Sequence, residues 1–237
     1  MHEKMNVLVL DTSTERLAIG LLLRSGAVYT KATSGAQKHG RDLIPGIAEL
    51  LALGEIEARK IDAIGVGLGP GSYTGLRVGV MAAKTMAYIT GAALLGMDSL
   101  LAVAWNAPGD AMRVSVVADA QRRDLYTAEF IRDAPGEPLR TTCASQIEPL
   151  ESWARRLEPG TFVIGPGLAR PHIKECVASL NLVGETENNY PDGQRLIEVF
   201  HREWSTGRRE NMWTLEPRYL RGSAAEEKRE GRRTSSE

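Results

Sequence analysis

The sequence predicts an α/β fold built from two similar halves. In the first half the apolar segment Val7–Asp11 ends in a carboxylate and leads through a short turn into a second apolar segment, Leu17–Leu23. The second half repeats this order in Val114–Asp119 and Leu125–Ile131. Each pair is typical of two antiparallel strands joined by a short turn. Two corresponding pairs in the same order favour an internal duplication over coincidence.

A later segment of each half supports the duplication. An apolar strand leads into Gly-Pro-Gly in Val66–Gly71 and again in Phe162–Gly167, and a helical pattern follows each time. A duplicated α/β unit with a carboxylate after its first strand is typical of the actin-like superfold, also called ASKHA or ribonuclease H-like, in which two similar lobes face each other across a cleft. We therefore expect two lobes, each with a mixed sheet flanked by helices.

The loop Ala107–Asp110 is the predicted boundary between the lobes, because it contains both Pro and Gly. This boundary gives an N-terminal lobe at 1–106 and a C-terminal lobe at 107–221, whose last helix could pack back on the first lobe. Residues 222–237 lack apolar anchors, and their acidic and basic side chains balance. We expect them to form a disordered, solvated tail.

Local patterns predict the remaining elements. A helix is expected from Asp42, which would cap it, to a stop at Gly54, with Pro45 in the first turn. Its broad apolar face consists of Leu43, Ile47, Leu50 and Leu51. The other expected elements are strands at Ala27–Thr33 and Ala92–Gly96 and helices at Ser99–Asn106 and Leu196–Trp204.

The segment Ile64–Gly79 is the most informative part of the chain. An apolar strand ends in Gly69-Pro70-Gly71, and the hydroxyl of Ser72 can cap the helix that begins near Thr74. Backbone amides at such a turn suit an anion or a close backbone contact. The segment matches neither G-x-x-x-x-G-K-[ST] nor G-x-G-x-x-G, so it carries no known phosphate-binding fingerprint.

The helix after this turn has a row of small residues, Gly75, Gly79, Ala83 and Ala87, spaced four apart. Such a row predicts that something packs very close to that face. One alternative is that the helix lies tightly on its own sheet. The other is a second helix, because further apolar residues make this helix apolar or small nearly all round, which is typical of a helix buried on both sides.

Composition excludes several classes of protein. Lys and Arg number 29 and Asp and Glu number 30, giving a net charge of -1. No global basic field therefore attracts nucleic acid or an anionic membrane, and any RNA contact must be local or supplied by a partner. There is no apolar run long enough for a signal peptide or a membrane span, so we expect a cytoplasmic protein with no membrane contact.

Cysteine and histidine patterns predict no metal site. Cys143 and Cys176 form no C-x-x-C pair, so reduced thiols are expected. His39 lacks a second histidine one turn further on, because Leu43 stands there, and H-x-x-x-H is the helical spacing that binds zinc. No G-x-S-x-G motif indicates a serine nucleophile. No catalytic residue and no metal ligand is therefore assigned, and the role of His39 stays open.

The predicted cleft is the candidate nucleotide site. In the actin-like superfold two hairpin turns hold the phosphates and strand-end carboxylates organise Mg²⁺. The corresponding candidates are Asp11, Thr12 and Ser13 in the first turn and Asp119 in the second. Ala120 stands where close approach to phosphate favours glycine, and Pro166 removes a donor from the turn that would hold adenosine. We favour a relic of a nucleotide site over a working one.

Several motifs together resemble the TsaB family, also called YeaZ. The resemblance spans nearly the whole chain, and its most specific parts are the glycine-rich block and the closing P-x-Y-L-R. Two departures are M-D-S-L in place of the commoner G-V-S-[ST]-L, and His39–Asp42, where members often read H-S-E-x-L or H-T-x-x-I. The matching segments are Asp11–Thr14 (D-T-S-T), Gly67–Gly79, Ala83-Lys84, Met97–Leu100, Asp119–Arg122 and Pro217–Arg221.

The resemblance implies a noncatalytic scaffold and activator in a bacterial complex. That complex transfers a threonylcarbamoyl group to the adenosine beside the anticodon in tRNAs reading codons that begin with A. The implied partners are a TsaD-like paralogue, which carries the metal and the transfer site, and a TsaE-like ATPase. ATP and metal would then be handled by the partners, with no cofactor on this chain. The missing second histidine, at the position of Leu43, fits the noncatalytic member of this pair of paralogues.

Two other classes of function stay open. The chain could be an independent ATPase or peptidase of the actin-like superfold, or a homodimeric interaction protein. If the chain acts as the family resemblance implies, we expect two helices of the first lobe, the one that begins at Asp42 and the one that begins near Thr74, to pack against the equivalent pair of the paralogue. The same surface would allow a homodimer. The predicted interface consists of Leu43, Ile47, Leu50, Leu51, Gly75, Val78, Gly79, Ala82 and Thr85.

Overall fold

The computed structural model describes residues 4–35, 39–180, 182–184 and 188–222. Within these residues it contains two mixed sheets of five strands each. The first sheet consists of β1 (Val7–Asp11), β2 (Arg16–Leu22), β3 (Val28–Ser34), β4 (Ala63–Gly67) and β5 (Ala93–Met97). The second consists of β6 (Arg113–Asp119), β7 (Asp124–Ile131), β8 (Arg140–Pro149), β9 (Phe162–Ile164) and β10 (Val183–Gly184).

The two sheets have the same strand order. The first is β3-β2-β1-β4-β5, and the second, read in the same sense, is β8-β7-β6-β9-β10. In both, the strand that ends in the carboxylate pairs antiparallel with the next strand and parallel with the strand that precedes Gly-Pro-Gly. The predicted duplication and the two-lobed actin-like fold are confirmed.

Helices cover the faces of both sheets. α1 and α2 pack on the first sheet around one apolar core, and α4 and α5 pack on the second around another. The described helices are α1 (His39–Leu53), α2 (Tyr73–Thr90), α3 (Ser99–Ala104), α4 (Leu150–Arg156), α5 (Pro171–Ser179) and α6 (Gly193–Ser205).

The predicted strand, turn and helix around the glycine-rich block are confirmed. The peptide between Gly69 and Pro70 is cis. The amide of Gly75 donates to Ser72 Oγ at 3.2 Å, so Ser72 caps α2 as the sequence predicts. The helix ends at Gly91, which has a left-handed φ of 77° and donates its amide to Ala87 O at 2.8 Å.

The predicted start of α1 is wrong. The helix begins at His39, three residues before Asp42, so Asp42 lies in its first turn and is not its N-cap. The carboxylate of Asp42 pairs with Arg41 at 2.7 Å. An acidic side chain in the first turn is favoured by the helix dipole as well as by capping, which explains the error. Pro45 consequently lies inside the helix instead of in its first turn.

The last helix, α6, packs on the first sheet, against β1, β2, β3 and β5. Leu196 and Phe200 of this helix are fully buried. α3 in turn contacts β6 and β7 of the second sheet. A third core, which includes Val9, Val116 and Phe130, therefore continues from one sheet to the other. This shared core joins the two lobes.

The tail predicted at 222–237 lies outside the described residues except for Gly222. Among the described residues, no helix is long and apolar enough to cross a membrane.

Candidate functional site

The small-residue row of α2 faces the chain's own first sheet. A Cβ at Gly75 would lie 2.1 Å from Thr12 O, and one at Gly79 would lie 2.3 Å from Thr12 Oγ1. The hydroxyl of Thr12 donates to Gly75 O at 2.7 Å. Of the two alternatives for this row, the tight contact with its own sheet is the one the structure has. Gly75 and Gly79 therefore cannot line a partner interface, which corrects the sequence prediction.

Asp11 is a buried structural carboxylate. Its Oδ1 accepts hydrogen bonds from Ser13 N at 2.8 Å and Ser13 Oγ at 2.6 Å, and its Oδ2 accepts one from Ser99 Oγ at 2.6 Å. Burial raises the pKa of the Asp11 carboxyl, against the opposite effect of these hydrogen bonds. Both oxygens thus already have donors, and the side chain is closed off from solvent.

The cleft between the lobes holds a cavity of about 470 Å³. Of the four predicted nucleotide-site residues, Ser13 and Asp119 line it, whereas Asp11 and Thr12 do not. Asp11 and Thr12 are held inside the first lobe, because Asp11 accepts from Ser13 and Ser99 and Thr12 donates to Gly75 O of α2. Neither side chain is directed at a phosphate or Mg²⁺ in the cleft, so of the four candidates only Ser13 and Asp119 border it.

Charged groups around the cleft pair with one another. Asp119 pairs with Arg170 at 2.8 Å, and Arg218 pairs with Asp98 at 2.9 Å. Arg221 pairs with Asp124. These pairs satisfy positive charge that could otherwise attract an anionic ligand. Of these pairs, Arg218–Asp98 joins the C-terminal segment to the first lobe, Arg221–Asp124 joins that segment to the second lobe, and Asp119–Arg170 lies within the second lobe.

Tyr190 connects the second lobe with the turn after β1. Its hydroxyl donates to Glu15 Oε1 at 2.8 Å. Burial and this hydrogen bond raise the pKa of Tyr190 to about 12. The phenol therefore stays protonated, and keeps donating, at any physiological pH.

The turn between β6 and β7 is strained. Gln121, Arg122 and Arg123 have left-handed φ values of 66°, 55° and 68°. For residues other than glycine this conformation costs roughly 1–2 kcal/mol each. The amide of Gln121 donates to Asp119 Oδ1 at 2.7 Å, which offsets part of that cost. Three side chains thus occupy a turn where close approach of a phosphate would favour glycine.

The apolar face that the structure leaves open lies on α1 and α2. Three large side chains of α2, Met81, Tyr88 and Ile89, are 65–68% exposed, and Ile44 and Leu53 of α1 are 56% and 57% exposed. A cluster of exposed apolar side chains on adjacent helices is typical of a protein interface. Ile44 and Leu53 are nine residues apart and so lie on opposite sides of α1, with Leu53 on the side of Glu49, which pairs with Lys31 of β3. We call Met81, Tyr88, Ile89 and Ile44 the helical face.

This face differs from the predicted interface in its residues. Thr85 is exposed and Leu51, Val78 and Ala82 are half-buried, so these four border it. Leu43, Ile47 and Leu50 are at most 3% exposed, because they pack against the first sheet, and they were wrongly predicted as interface residues. Helical periodicity predicted one broad apolar face on α1 and apolar or small residues nearly all round α2, but not which side of each helix meets the sheet.

Among the described residues, no group of three or more His, Cys, Asp and Glu side chains could hold a metal ion. Cys143 and Cys176 are both free and half-buried. The side chain of His39 lies outside the described part of the structure.

Comparison with known proteins gives consistent results. A family model described as TsaD, tRNA N6-adenosine threonylcarbamoyltransferase, matches residues 30–147. The tRNA threonylcarbamoyladenosine biosynthesis protein TsaB of Bacillus subtilis is 32% identical over 94% of this chain and 97% of its own length. TsaB of Escherichia coli is 26% identical over 96% of this chain and 100% of its own.

A solved structure agrees with the fold. YeaZ from Pseudomonas aeruginosa superposes with a TM-score of 0.78 at 24% identity, over 91% of this chain and 100% of that chain. At that identity the likeness supports the architecture alone. The Bacillus subtilis relative, in contrast, is 32% identical over nearly the whole of both chains. On that basis the chain belongs to the TsaB (YeaZ) family.

Proposed function

We propose that this chain is a noncatalytic subunit of the machinery that makes threonylcarbamoyladenosine in tRNA. It would act as scaffold and activator for a TsaD-like transferase that modifies the adenosine beside the anticodon in tRNAs reading A-starting codons. The observation that carries the proposal is the near-complete match to relatives named as biosynthesis proteins for this nucleoside.

The cleft supports the noncatalytic role. Asp11 has donors on both oxygens, and Asp119 already pairs with Arg170. A general base or a metal ligand needs lone pairs directed at the substrate, and these carboxylates direct theirs at the protein. ATP and metal would then be bound by the partner subunits, and a TsaE-like ATPase would supply the nucleotide chemistry.

The helical face supports a heterodimer with the TsaD-like paralogue. Its side chains are apolar and exposed on two adjacent helices, and packing them against a matching pair of helices would remove them from water. A homodimer could form on the same face when the paralogue is absent. With a net charge of -1, contact with tRNA would come through the complex. We place this complex in the cytoplasm.

The experiment that tests the function is depletion of the protein followed by mass spectrometry of tRNA nucleosides. Threonylcarbamoyladenosine should fall, and expression of the wild-type chain should restore it. Unchanged modification after confirmed depletion would refute the proposal. Purified chain alone, supplied with ATP or with peptides, should show background turnover, since an independent ATPase or peptidase would show more.

The helical face is tested by Thr85→Trp, which places a large side chain at an exposed position of α2. Ala178→Trp on α5 is the matched control, because it adds the same side chain to an exposed helical position of the other lobe. Co-purification with the paralogue should be lost for Thr85→Trp and kept for Ala178→Trp, with circular dichroism of both unchanged. Retained complex for the folded Thr85→Trp chain would exclude this face.

A further inference from the structure

The segment Pro217–Gly222, here called the C-terminal strap, runs from the first lobe to the second across the mouth of the cleft. At its first-lobe end, the amide of Arg218 donates to Leu68 O at 2.8 Å. The ring of Tyr219 stacks on Tyr73 at the start of α2, with centroids 4.6 Å apart. The Nε of Arg77 donates to the hydroxyl of Tyr219 at 3.1 Å. The strap is thus fixed on the first lobe by a backbone bond to Leu68 and by ring and side-chain contacts with α2.

At its other end the strap holds the strained turn of the second lobe. The guanidinium of Arg221 donates to the carbonyl oxygens of Ala120 and Gln121, the latter at 3.2 Å, and pairs with the carboxylate of Asp124. The turn between β6 and β7 therefore has three acceptors on one arginine. Charge-assisted hydrogen bonds of this kind are stronger than neutral ones.

Asp98 joins the strap to both lobes. Its Oδ1 accepts from the amides of Leu100, at 2.8 Å, and Leu101, at 3.3 Å, and so caps α3. Its Oδ2 accepts from Ser145 Oγ of β8 at 2.7 Å and from Arg218 Nη1 of the strap at 2.9 Å. One carboxylate consequently links a first-lobe helix, a second-lobe strand and the strap.

We propose that the C-terminal strap is a latch that holds the strained β6–β7 turn against the first lobe and keeps the cleft narrow. Non-glycine residues return from the left-handed region to common conformations when nothing restrains them. The turn has two arrangements for that reason: left-handed while Arg221 binds its carbonyls, and relaxed once the strap detaches. The shared core, which forms part of the cleft lining, joins the lobes independently of the strap's polar contacts, so release opens the mouth of the cleft and leaves the rest of the fold in place.

Hydrogen exchange of the full chain tests the latch. The amides of Ala120 and Asp124 close the turn by bonds to Asp124 O and Gln121 O, each 3.0 Å long, and they report its opening. Arg221→Gln removes the charge that holds the turn, and Arg218→Gln weakens the other end. Exchange of these two amides should become about tenfold faster in Arg221→Gln, with a smaller increase in Arg218→Gln.

Glu216→Gln is the matched control, because it changes a charge at an exposed position immediately before the strap. Its exchange should equal that of the wild type, and the β1 amides should exchange at wild-type rates in every variant. The latch would be refuted by wild-type exchange of the turn in Arg221→Gln, by equal acceleration in Glu216→Gln, or by acceleration that includes β1.

A rescue variant separates the latch from simple loss of contacts. Gln121→Gly keeps the backbone groups of the turn but adopts a positive φ at no steric cost. Combined with Arg221→Gln, it should return most of the lost protection. No recovery in this double variant would show that strain in the turn is not what the strap restrains.

Discussion

The two lobes share a strand order, yet the carboxylates that end their first strands have different roles. Asp11 is inaccessible to solvent and accepts three hydrogen bonds from Ser13 and Ser99. Asp119 borders the cleft and forms an ion pair with Arg170. The comparison teaches that a repeated residue in a duplicated fold does not imply a repeated function. One copy is buried inside its lobe, and the other pairs with an arginine of its own lobe at the wall of the cleft.

The largest effect on this comparison is expected from adding one methyl group beside Asp11. A Cβ at Gly67 would lie 1.8 Å from Asp11 Oδ2, whereas a Cβ at Gly167, after the corresponding strand of the second lobe, would lie 3.0 Å from Val117 O. Gly67→Ala should lower the free energy of unfolding by about 3 kcal/mol or more, since overpacking here also displaces a buried carboxylate.

Gly167→Ala should cost less, about 1–2 kcal/mol, because a shift of a few tenths of an ångström relieves its contact. Urea unfolding of both variants measures the difference. Equal losses would mean that Gly67 and Gly167 carry the same steric constraint, against the contrast drawn here.

Removing each carboxylate is expected to have the next largest effect. Asp11→Ala leaves two hydroxyls and one amide without their acceptor in a buried site and should cost about 2–4 kcal/mol. Asp119→Ala breaks a pair whose arginine side chain is 57% exposed and an exposed hydrogen bond from the amide of Gln121, and should cost less, about 1 kcal/mol. Thermal or urea unfolding would contradict the assignment of roles if the order were reversed.

The pH dependence of stability sharpens the same contrast. Because burial raises the pKa of Asp11 above its ordinary value of 3.8, the native chain binds a proton that the unfolded chain releases. The resulting stabilisation is complete below the pKa of Asp11 in the unfolded chain and is lost as the pH rises through its pKa in the folded chain. Asp11→Asn does not titrate, so its free energy of unfolding should increase relative to wild type as the pH rises above about 4.

Urea unfolding of wild type and Asp11→Asn measures this difference in the free energy of unfolding directly. The measurements are made at several pH values from about 4 to neutral. A difference that is independent of pH would mean that Asp11 keeps an ordinary pKa. Asp119→Asn, measured in parallel, controls for effects of a strand-end carboxylate that is not fully buried.

The smallest expected effect concerns the two turns. Gln121→Gly should stabilise the chain by about 0.4–1 kcal/mol, because glycine removes the cost of a left-handed φ. Thr14→Gly in the turn of the first lobe should destabilise it, since Thr14 has no left-handed φ and its hydroxyl accepts from the amide of Arg16 at 3.1 Å. Stabilisation by both substitutions would show that the turns are equally strained.

Sequence patterns predicted the parts of the fold that depend on local rules. The paired strands, the glycine turn and the Ser72 cap follow from apolar runs and from turn and capping residues, and all three are present. β8 and α4 received no prediction. Among the described strands, β8 lies at the edge of the second sheet. Its residues are exposed or half-buried throughout, so it has no continuous apolar run.

The candidate site was less predictable, because it depends on which direction a side chain faces. Apolar periodicity placed Leu43 and Ile47 on one stripe of α1 and left Ile44 unmarked, although Ile44 is the exposed member. Asp11 matched a nucleotide-site pattern, and only the hydroxyls of Ser13 and Ser99, the latter 88 residues away in sequence, show that it is structural. The sequence also departs from the family pattern at Met97–Leu100, but that departure did not predict that Asp98 links α3, β8 and the C-terminal strap.

The packing of α6 on the first sheet has a consequence for how the chain folds during synthesis. Phe200 of α6 lies so close to β4 that a Cβ at Gly65 would meet its ring at 2.8 Å. The ribosome makes the strands of the first sheet early and this helix late, so one face of that sheet stays uncovered until most of the second lobe has been translated. The N-terminal lobe is therefore first in the sequence but is completed among the last, and its exposed sheet would need protection from aggregation in the interval.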